Sequence, residues 1–298
     1  MRTPMLAIAC VPSLILPALC AAQPLDDALA KVSFSLRSRA SFATETDLDT
    51  TGTVSVARLG PTLSARYAEN ETWFVDVAVG AEFSFYDFEG ATGIVSTGDP
   101  AGDFAKYFLN ARYTAQANDN WWWFVGGEAS WAGEDSENLG DGFIGRASVG
   151  ATYAVNDTLR IGLGVAVRSR LEDDPIVYPL PIIHWQISEQ WTLATADDGL
   201  RLSYKAWDDW TFFASAGWEA REYRLNDTGP IPEGVMRDDR IPVMLGAIWT
   251  PGEHFEIEAT VGAAAWSRYE FLDSTGATIA EPDGDAALMA GLSARVRF

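Results

Sequence analysis

Charged side chains occupy alternate positions in segments that are otherwise apolar. Glu256 and Glu258 lie on either side of an isoleucine in "FEIEA", and Arg295 and Arg297 lie on either side of a valine in the final "ARVRF". Residues two apart in a β-strand point to the same side, so each segment would present its charges on one face. We predict that the two segments are antiparallel neighbours, with Glu256 opposite Arg297 and Glu258 opposite Arg295.

A second charged set lies in the middle of the chain and contains Arg112, Glu128, Arg146 and Arg168. A tight turn at residues 156–157 would place Arg146 opposite Arg168. Glu128 would lie beside Arg146, with Arg112 close by. Three arginines against one glutamate predict a positive ring that attracts anions. The alternative is a salt-bridge network that fills the interior.

The chain offers little for catalysis or metal binding. Hydrolytic chemistry normally needs a histidine as base, and the only histidines are His184 and His254. The acidic clusters "GEDSE", "LEDDP", "RDDR" and "EPDGD" lack the spacing of an EF-hand loop and are typical of solvated loops. We predict no catalytic residue, no metal site and no cofactor.

Fourteen segments with alternating polarity could position the charged residues as β-strands. They cover residues 31–43, 52–67, 72–87, 104–117, 121–133, 142–155, 158–171, 176–187, 191–196, 200–206, 210–223, 240–250, 254–271 and 285–298. Tight polar turns alternate with longer acidic connections, of which 224–239 is one. The segments 191–196 and 200–206 are short, and twelve spanning strands remain if that hairpin lies at a rim.

The apolar faces and the aromatic residues indicate which solvent surrounds these strands. Most of the 12 tryptophans lie near the predicted tight turns, and a second aromatic group lies toward the opposite strand ends. Aromatic side chains collect at both membrane–water interfaces. A soluble β-sandwich would explain the alternation but not the two aromatic bands. We therefore predict that the apolar faces contact lipid and the charged faces line a lumen.

The N-terminus reads as a cleaved signal peptide over residues 1–22, followed by a periplasmic segment over 23–30. A transmembrane anchor is the alternative, but the apolar run is short and contains Pro12 and Pro17. Both cysteines, Cys10 and Cys20, would leave with the leader. The net charge of −21 makes nucleic acid a poor partner.

The leader, the alternating strands over 31–298 and the last strand, "ALMAGLSARVRF", resemble a Gram-negative outer-membrane β-barrel protein. The resemblance implies an all-β, antiparallel up-and-down transmembrane barrel. It also implies that Phe298, with Val296, Ala294 and Leu292, forms the signal read by the barrel-assembly machinery. The stretch "VYPLPIIHWQISEQWTL" is similar to MipA/OmpV-type barrels and related barrels of unassigned function.

The lumen charges favour a passive pore for small polar or ionic solutes. An occluded barrel with a structural or interaction role in the cell envelope is the alternative, and a barrel hydrolase is a third. The resemblance implies outer-membrane lipid and lipopolysaccharide as neighbours, and acidic loops could bind Ca²⁺ or Mg²⁺ that bridges to lipopolysaccharide phosphates.

Overall fold

A computed structural model describes residues 31–70, 72–96, 98–134, 140–196 and 199–298. The predicted leader, 1–22, and the predicted periplasmic segment, 23–30, lie outside the described residues. Within these ranges, no helix is both long and apolar enough to cross a membrane.

One antiparallel sheet closes on itself to form a barrel. Its strands are β1 Val32–Asp47, β2 Thr53–Asn70, β3 Trp73–Glu89, β4 Asp103–Gln116, β5 Trp121–Gly133, β6 Phe143–Ala154, β7 Leu159–Arg170, β8 Asp173–Gln186, β9 Trp191–Ala196, β10 Gly199–Trp207, β11 Trp210–Gly217, β12 Glu219–Arg224, β13 Val235–Trp249, β14 Phe255–Leu272, β15 Thr278–Ala280, β16 Asp283–Gly284 and β17 Ala287–Arg297. β11 and β12 form one wall strand, since both pair with β13, and β15 and β16 are short additions to β14. The wall therefore has fourteen strands, as predicted, and it closes where β1 pairs with β17.

The outside of the barrel is a belt of aliphatic side chains between two rows of aromatic ones. Leu163 and Leu245 are 62% and 63% exposed. Trp210 packs against Trp249 at one edge of the belt, with ring centroids 6.2 Å apart, and other tryptophans lie at the opposite edge. A soluble sandwich would bury such side chains. The structure therefore confirms the membrane-barrel interpretation over the β-sandwich.

The C-terminal strand presents its apolar side chains outward. Phe298 is 60% exposed, and its backbone N–H donates to the Phe34 carbonyl at 2.9 Å. Leu292 points the same way and is also exposed. The assembly role of Phe298, Val296 and Ala294 stays a prediction.

Removal of Phe298 is expected to lower the folded fraction strongly, because it takes away an outward aromatic residue at the seam between β1 and β17. The measurement is the heat-modifiable gel band in outer-membrane fractions. Phe298→Tyr keeps an aromatic ring and should fold as the wild type does. Equal amounts of folded protein in the truncated and wild-type forms would contradict the proposed signal.

The short hairpin β9–β10 belongs to the wall and does not lie at a rim. β9 pairs with β8 only at His184–Gln186, and β10 pairs with β9 and β11. Fourteen strands are therefore correct and twelve are not. Because the hairpin is short, residues 173–183 of β8 have no strand partner on this side in the described part of the chain.

The prediction of a loop over residues 224–239 is wrong at its C-terminal end. β13 already begins at Val235, which pairs with Arg224 at the end of β12. We call residues 219–240 the inner hairpin. Its β13 side stays paired with the outer end of β14, while its β12 side reaches across the lumen: Arg224 bridges Gly133 of β5, and the Tyr223 ring stacks on Phe104 of β4 at 4.3 Å. Its Pro, Gly and charged residues suggested a solvated loop, yet many of them lie inside the barrel.

The inner hairpin fills the outer half of the lumen with a hydrophobic core. This core joins side chains of the inner hairpin to the inner faces of β2–β5 and the outer end of β14. Its large members are Val54, Val56, Tyr86, Phe88, Phe104, Tyr223, Met236, Tyr269 and Phe271. The prediction that charged faces line the lumen is therefore incomplete for this half, where buried aromatic and aliphatic side chains lie beside the charged ones.

Candidate functional site

A cavity of about 520 Å³ lies below the inner hairpin, toward the tight turns. Residues of β1–β4, β9–β14 and β17 line it. Serine, threonine and glycine alternate with charged residues around it. Seven charged lining residues are cationic and three are anionic, namely Arg37, Arg39, Arg58, Lys106, Arg201, Arg221 and Arg295 against Glu82, Glu219 and Glu258.

The charges at the lower end of the cavity form ion pairs across neighbouring strands. Glu256 receives Arg37 and Arg295 at 3.5 Å each and also contacts Arg297. Glu258 pairs with Arg201 at 3.2 Å. In this ladder, the pairs of Glu256 couple β1, β14 and β17 around the point where the barrel closes, and the Glu258–Arg201 pair joins β14 to β10.

The predicted register of this ladder is wrong by two residues. Backbone pairing places Glu256 opposite Arg295 and Glu258 opposite Ser293. A shift of two residues between paired strands keeps each side chain on the same face of the sheet. All four predicted side chains therefore still point into the lumen. The Glu256–Arg297 ion pair forms across the diagonal.

The predicted positive ring has the expected register, and two of its residues make the ion pairs that the alternative, a salt-bridge network, requires. Arg146 lies opposite Arg168, and Glu128 lies opposite Arg146. Arg168 donates to Glu222 of the inner hairpin at 3.3 Å, and Glu128 pairs with Lys106 at 3.3 Å.

The other two arginines of that set stack on aromatic rings. The Arg112 guanidinium carbon lies 3.9 Å from the centre of the Phe124 ring, and that of Arg146 lies 5.5 Å from the Tyr178 ring centre. None of the four predicted residues lines the cavity. The selectivity role of these four residues stays a prediction, and the cavity is a second candidate site for it.

Buried ion pairs hold the inner hairpin against β2 and β3. Asp238 is fully buried; it contacts Arg58, and it accepts from Arg240 at 2.5 Å and from the Tyr86 hydroxyl at 2.5 Å. On β12, Arg221 makes a two-bond contact with Glu82, at 2.7 and 3.1 Å. We call the set around Asp238 the Asp238 cluster.

A second ionic set holds the other side of the inner hairpin to β7 and β14, and we call it the roof cluster. Glu222 accepts from Arg237 at 2.8 Å, from Arg168 at 3.3 Å and from the Leu171 backbone N–H at 3.2 Å. Arg237 also donates to Glu270 at 2.7 Å. Together the two clusters hold both sides of the inner hairpin in the outer half of the lumen.

Neither histidine lies at the outer rim, where we considered a hydrolase site. His254 is exposed beside the lower end of β17, and its Nδ1 lies 3.1 Å from the Arg297 carbonyl oxygen. His184 is exposed on β8 opposite Arg160.

Comparisons with known proteins place the chain in a family. The family model for a domain of unknown function, DUF6268, matches residues 109–298. The chain belongs to the DUF6268 family. No curated protein matches it in sequence. The finer similarity to MipA/OmpV-type barrels stays a prediction.

The DUF6268 barrel is similar to several solved outer-membrane channels. The toluene transporter TodX of Pseudomonas putida is 11% identical, with 89% of each chain covered and a TM-score of 0.48. An outer membrane channel from Pseudomonas putida F1 is 9% identical, with 90% of this chain and 95% of that chain covered and a TM-score of 0.48. The NanC porin is 9% identical, with 88% and 98% covered and a TM-score of 0.38. At these identities the similarity concerns the fold alone.

Sequence reasoning placed Arg295 of the DUF6268 cavity in the lumen but missed Arg37, Arg39, Arg58 and Arg201, although a signal for two of these was present. In "SFSLRSRASF", Arg37 and Arg39 alternate with the outward Phe34, Leu36 and Phe42. The same period-two pattern that identified Arg295 and Arg297 would have placed them in the lumen.

Proposed function

We propose that this protein is a passive outer-membrane channel for small polar or ionic solutes and that it prefers anions. The cationic excess around the cavity carries this proposal, because a pore wall with net positive charge favours anions over cations. Serine, threonine and glycine between the charges leave room for hydrated solutes.

Movement of the inner hairpin would open and close such a channel. The hairpin closes the outer half of the lumen through contacts that are ionic and aromatic, so conduction requires it to move. The same observation favours a second candidate, an occluded barrel with a structural role in the cell envelope. The channel and the structural barrel predict different results for the purified protein: the channel conducts ions when the hairpin moves, and the structural barrel never does.

Both candidates place the barrel in the outer membrane, with lipid and lipopolysaccharide around the aliphatic belt. The barrel-assembly machinery is the expected partner during insertion. We propose no cofactor and no enzymatic activity.

Arg39→Gln is expected to lower the anion preference. One unit charge about 8 Å from the path of an ion in water stabilises chloride by about 0.5 kcal/mol and destabilises potassium by a similar amount. The difference of about 1 kcal/mol corresponds to roughly a fivefold change in the chloride-to-potassium permeability ratio. Reversal potentials of the open channel under a salt gradient in planar bilayers measure that ratio.

Arg268→Gln is the matched control, because Arg268 lies outside the cavity and pairs with Glu281 and Asp283 near the outer rim. It should leave the ratio unchanged. A cation preference in the wild type, or equal shifts in both variants, would contradict the cavity as the selectivity site. A purified barrel that shows no channel steps, even without the inner hairpin, would favour the structural role.

A further inference from the structure

The wall of the barrel has a gap between β8 and β11 above the tip of the β9–β10 hairpin. β9 begins at Trp191 in the lower aromatic row and rises for six residues to Ala196. At about 3.3 Å per residue and a tilt near 40°, Ala196 lies about 13 Å above that row, within an apolar band about 25 Å tall. The missing part of the wall therefore lies in the outer-leaflet half of the membrane.

The edge of β8 that borders the gap is poor in hydrogen-bond donors. The Ile183 backbone N–H points to this edge, since it donates to the Thr195 hydroxyl at 3.0 Å. Backbone N–H groups alternate sides along a strand, so the nitrogens of Pro181 and Pro179 point the same way. Proline has no N–H and is typical of edges that do not receive another strand. A strand from a second copy is therefore a poor occupant, whereas hydrocarbon needs no donor.

The part of β8 beside the gap is apolar on both faces. Val177 points outward and is 68% exposed, while Tyr178 lies over Arg146 inside the barrel. Leu180 and Ile182 share the inner face with Tyr178, opposite Gly164 and Gly162 of β7. Hydrocarbon could therefore contact this part of β8 from outside and from inside the barrel.

The cavity reaches the β9–β11 side of this gap. Its lining includes Ala196 and Gly199 at the hairpin tip and Gly217 and Trp218 at the end of β11. Gly199 lies opposite Gly217, and a Cβ on Gly199 would come within 2.2 Å of the Ala216 carbonyl oxygen. Above the gap, the roof cluster ties the β7–β8 turn to the inner hairpin, since Arg237 donates to the Leu171 carbonyl at 3.0 Å. The gap is therefore bordered by β8 and β11 at its sides, by the β9–β10 hairpin below and by the roof cluster above.

We propose that this gap is a lateral window, which connects the cavity to the acyl chains of the outer leaflet. Acyl chains occupy it at rest, and molecules with a hydrocarbon body exchange through it between the cavity and the membrane. The window does not depend on whether the outer end of the lumen opens to ions.

The test uses a fluorescent label on single introduced cysteines in vesicles whose lipids carry a nitroxide on the acyl chain. Cys10 and Cys20 lie in the predicted leader, so the introduced thiol would be the only one in the processed barrel. A label at Leu180→Cys, on the inner face beside the window, should be quenched at least half as strongly as one at the outward Leu163→Cys. A label at Thr62→Cys, on the opposite wall of the same cavity, should show little quenching.

A second pair of variants tests the window itself. Ala216 and Ala214 both point outward and are exposed, but only Ala216 lines the mouth. Ala216→Trp should reduce quenching at the Leu180→Cys label, and Ala214→Trp should not. Equal quenching at Leu180→Cys and Thr62→Cys would overturn the proposal. So would a Leu180→Cys label shielded from both lipid nitroxide and aqueous iodide, because protein would then cover the window.

Discussion

Deletion of the inner hairpin is expected to raise the unit conductance severalfold. The variant removes residues 221–238 and joins Ala220 to Asp239 through Asn-Gly. These two residues are cross-strand partners, so a two-residue turn fits between them. The deletion takes Tyr223, Met236 and Asp238 out of the outer half of the lumen. Arg58 and Glu82 lose their partners but then face water.

Planar-bilayer recordings of the purified barrel measure this effect. Replacement of residues 227–230 at the tip of the hairpin by Gly and Ser is the control, since it leaves both ionic clusters in place and should not change conductance. An unchanged conductance in the deletion variant, with a normal heat-modifiable gel shift, would show that the hairpin does not close the lumen.

Asp238→Ala is expected to destabilise the barrel by about 3–5 kcal/mol, because it leaves two buried arginines without their shared carboxylate. Arg58 and Arg240 are 5% and 1% exposed. The measurement is the free energy of unfolding in urea, in lipid vesicles. The inner hairpin could instead move away in this variant, so that water reaches Arg58 and Arg240. In that case we expect a smaller decrease in the free energy of unfolding, together with a higher conductance.

Asp76→Ala provides the matched control. Asp76 pairs with Arg66 at 2.6 Å, but this pair is solvent-exposed at the lower end of β2 and β3. Exposed pairs contribute about 1 kcal/mol or less. Simultaneous replacement of Arg58, Asp238 and Arg240 by Met, Leu and Met should recover most of the stability, because apolar residues can replace a buried ionic set. Similar losses for Asp76→Ala and Asp238→Ala would contradict the assigned burial.

The sequence by itself determined the wall of the barrel. Period-two alternation decides which side of each strand meets lipid, and it is a local property that one strand carries alone. Thus Glu256, Arg295 and Arg168 were placed on the inner face correctly. The tight turns also set the register of Arg146 against Arg168.

The register between β14 and β17 needed the structure. It is not set by a tight turn, since the connection between these strands carries β15 and β16. A shift of two residues keeps every side chain on its face, so the alternation pattern could not distinguish the two registers.

Only the tertiary structure decided what fills the barrel. The charges of "VMRDDR" indicate a solvated loop when read alone, because isolated charged residues avoid burial. Asp238 is buried because Arg58, 180 residues away in the chain, lies on the opposite wall. The gap beside β8 likewise arises from the unequal lengths of strands that are neighbours only once the sheet has formed. Local pattern therefore fixed which residues face the lumen, whereas partners distant in sequence fixed which part of the lumen is open.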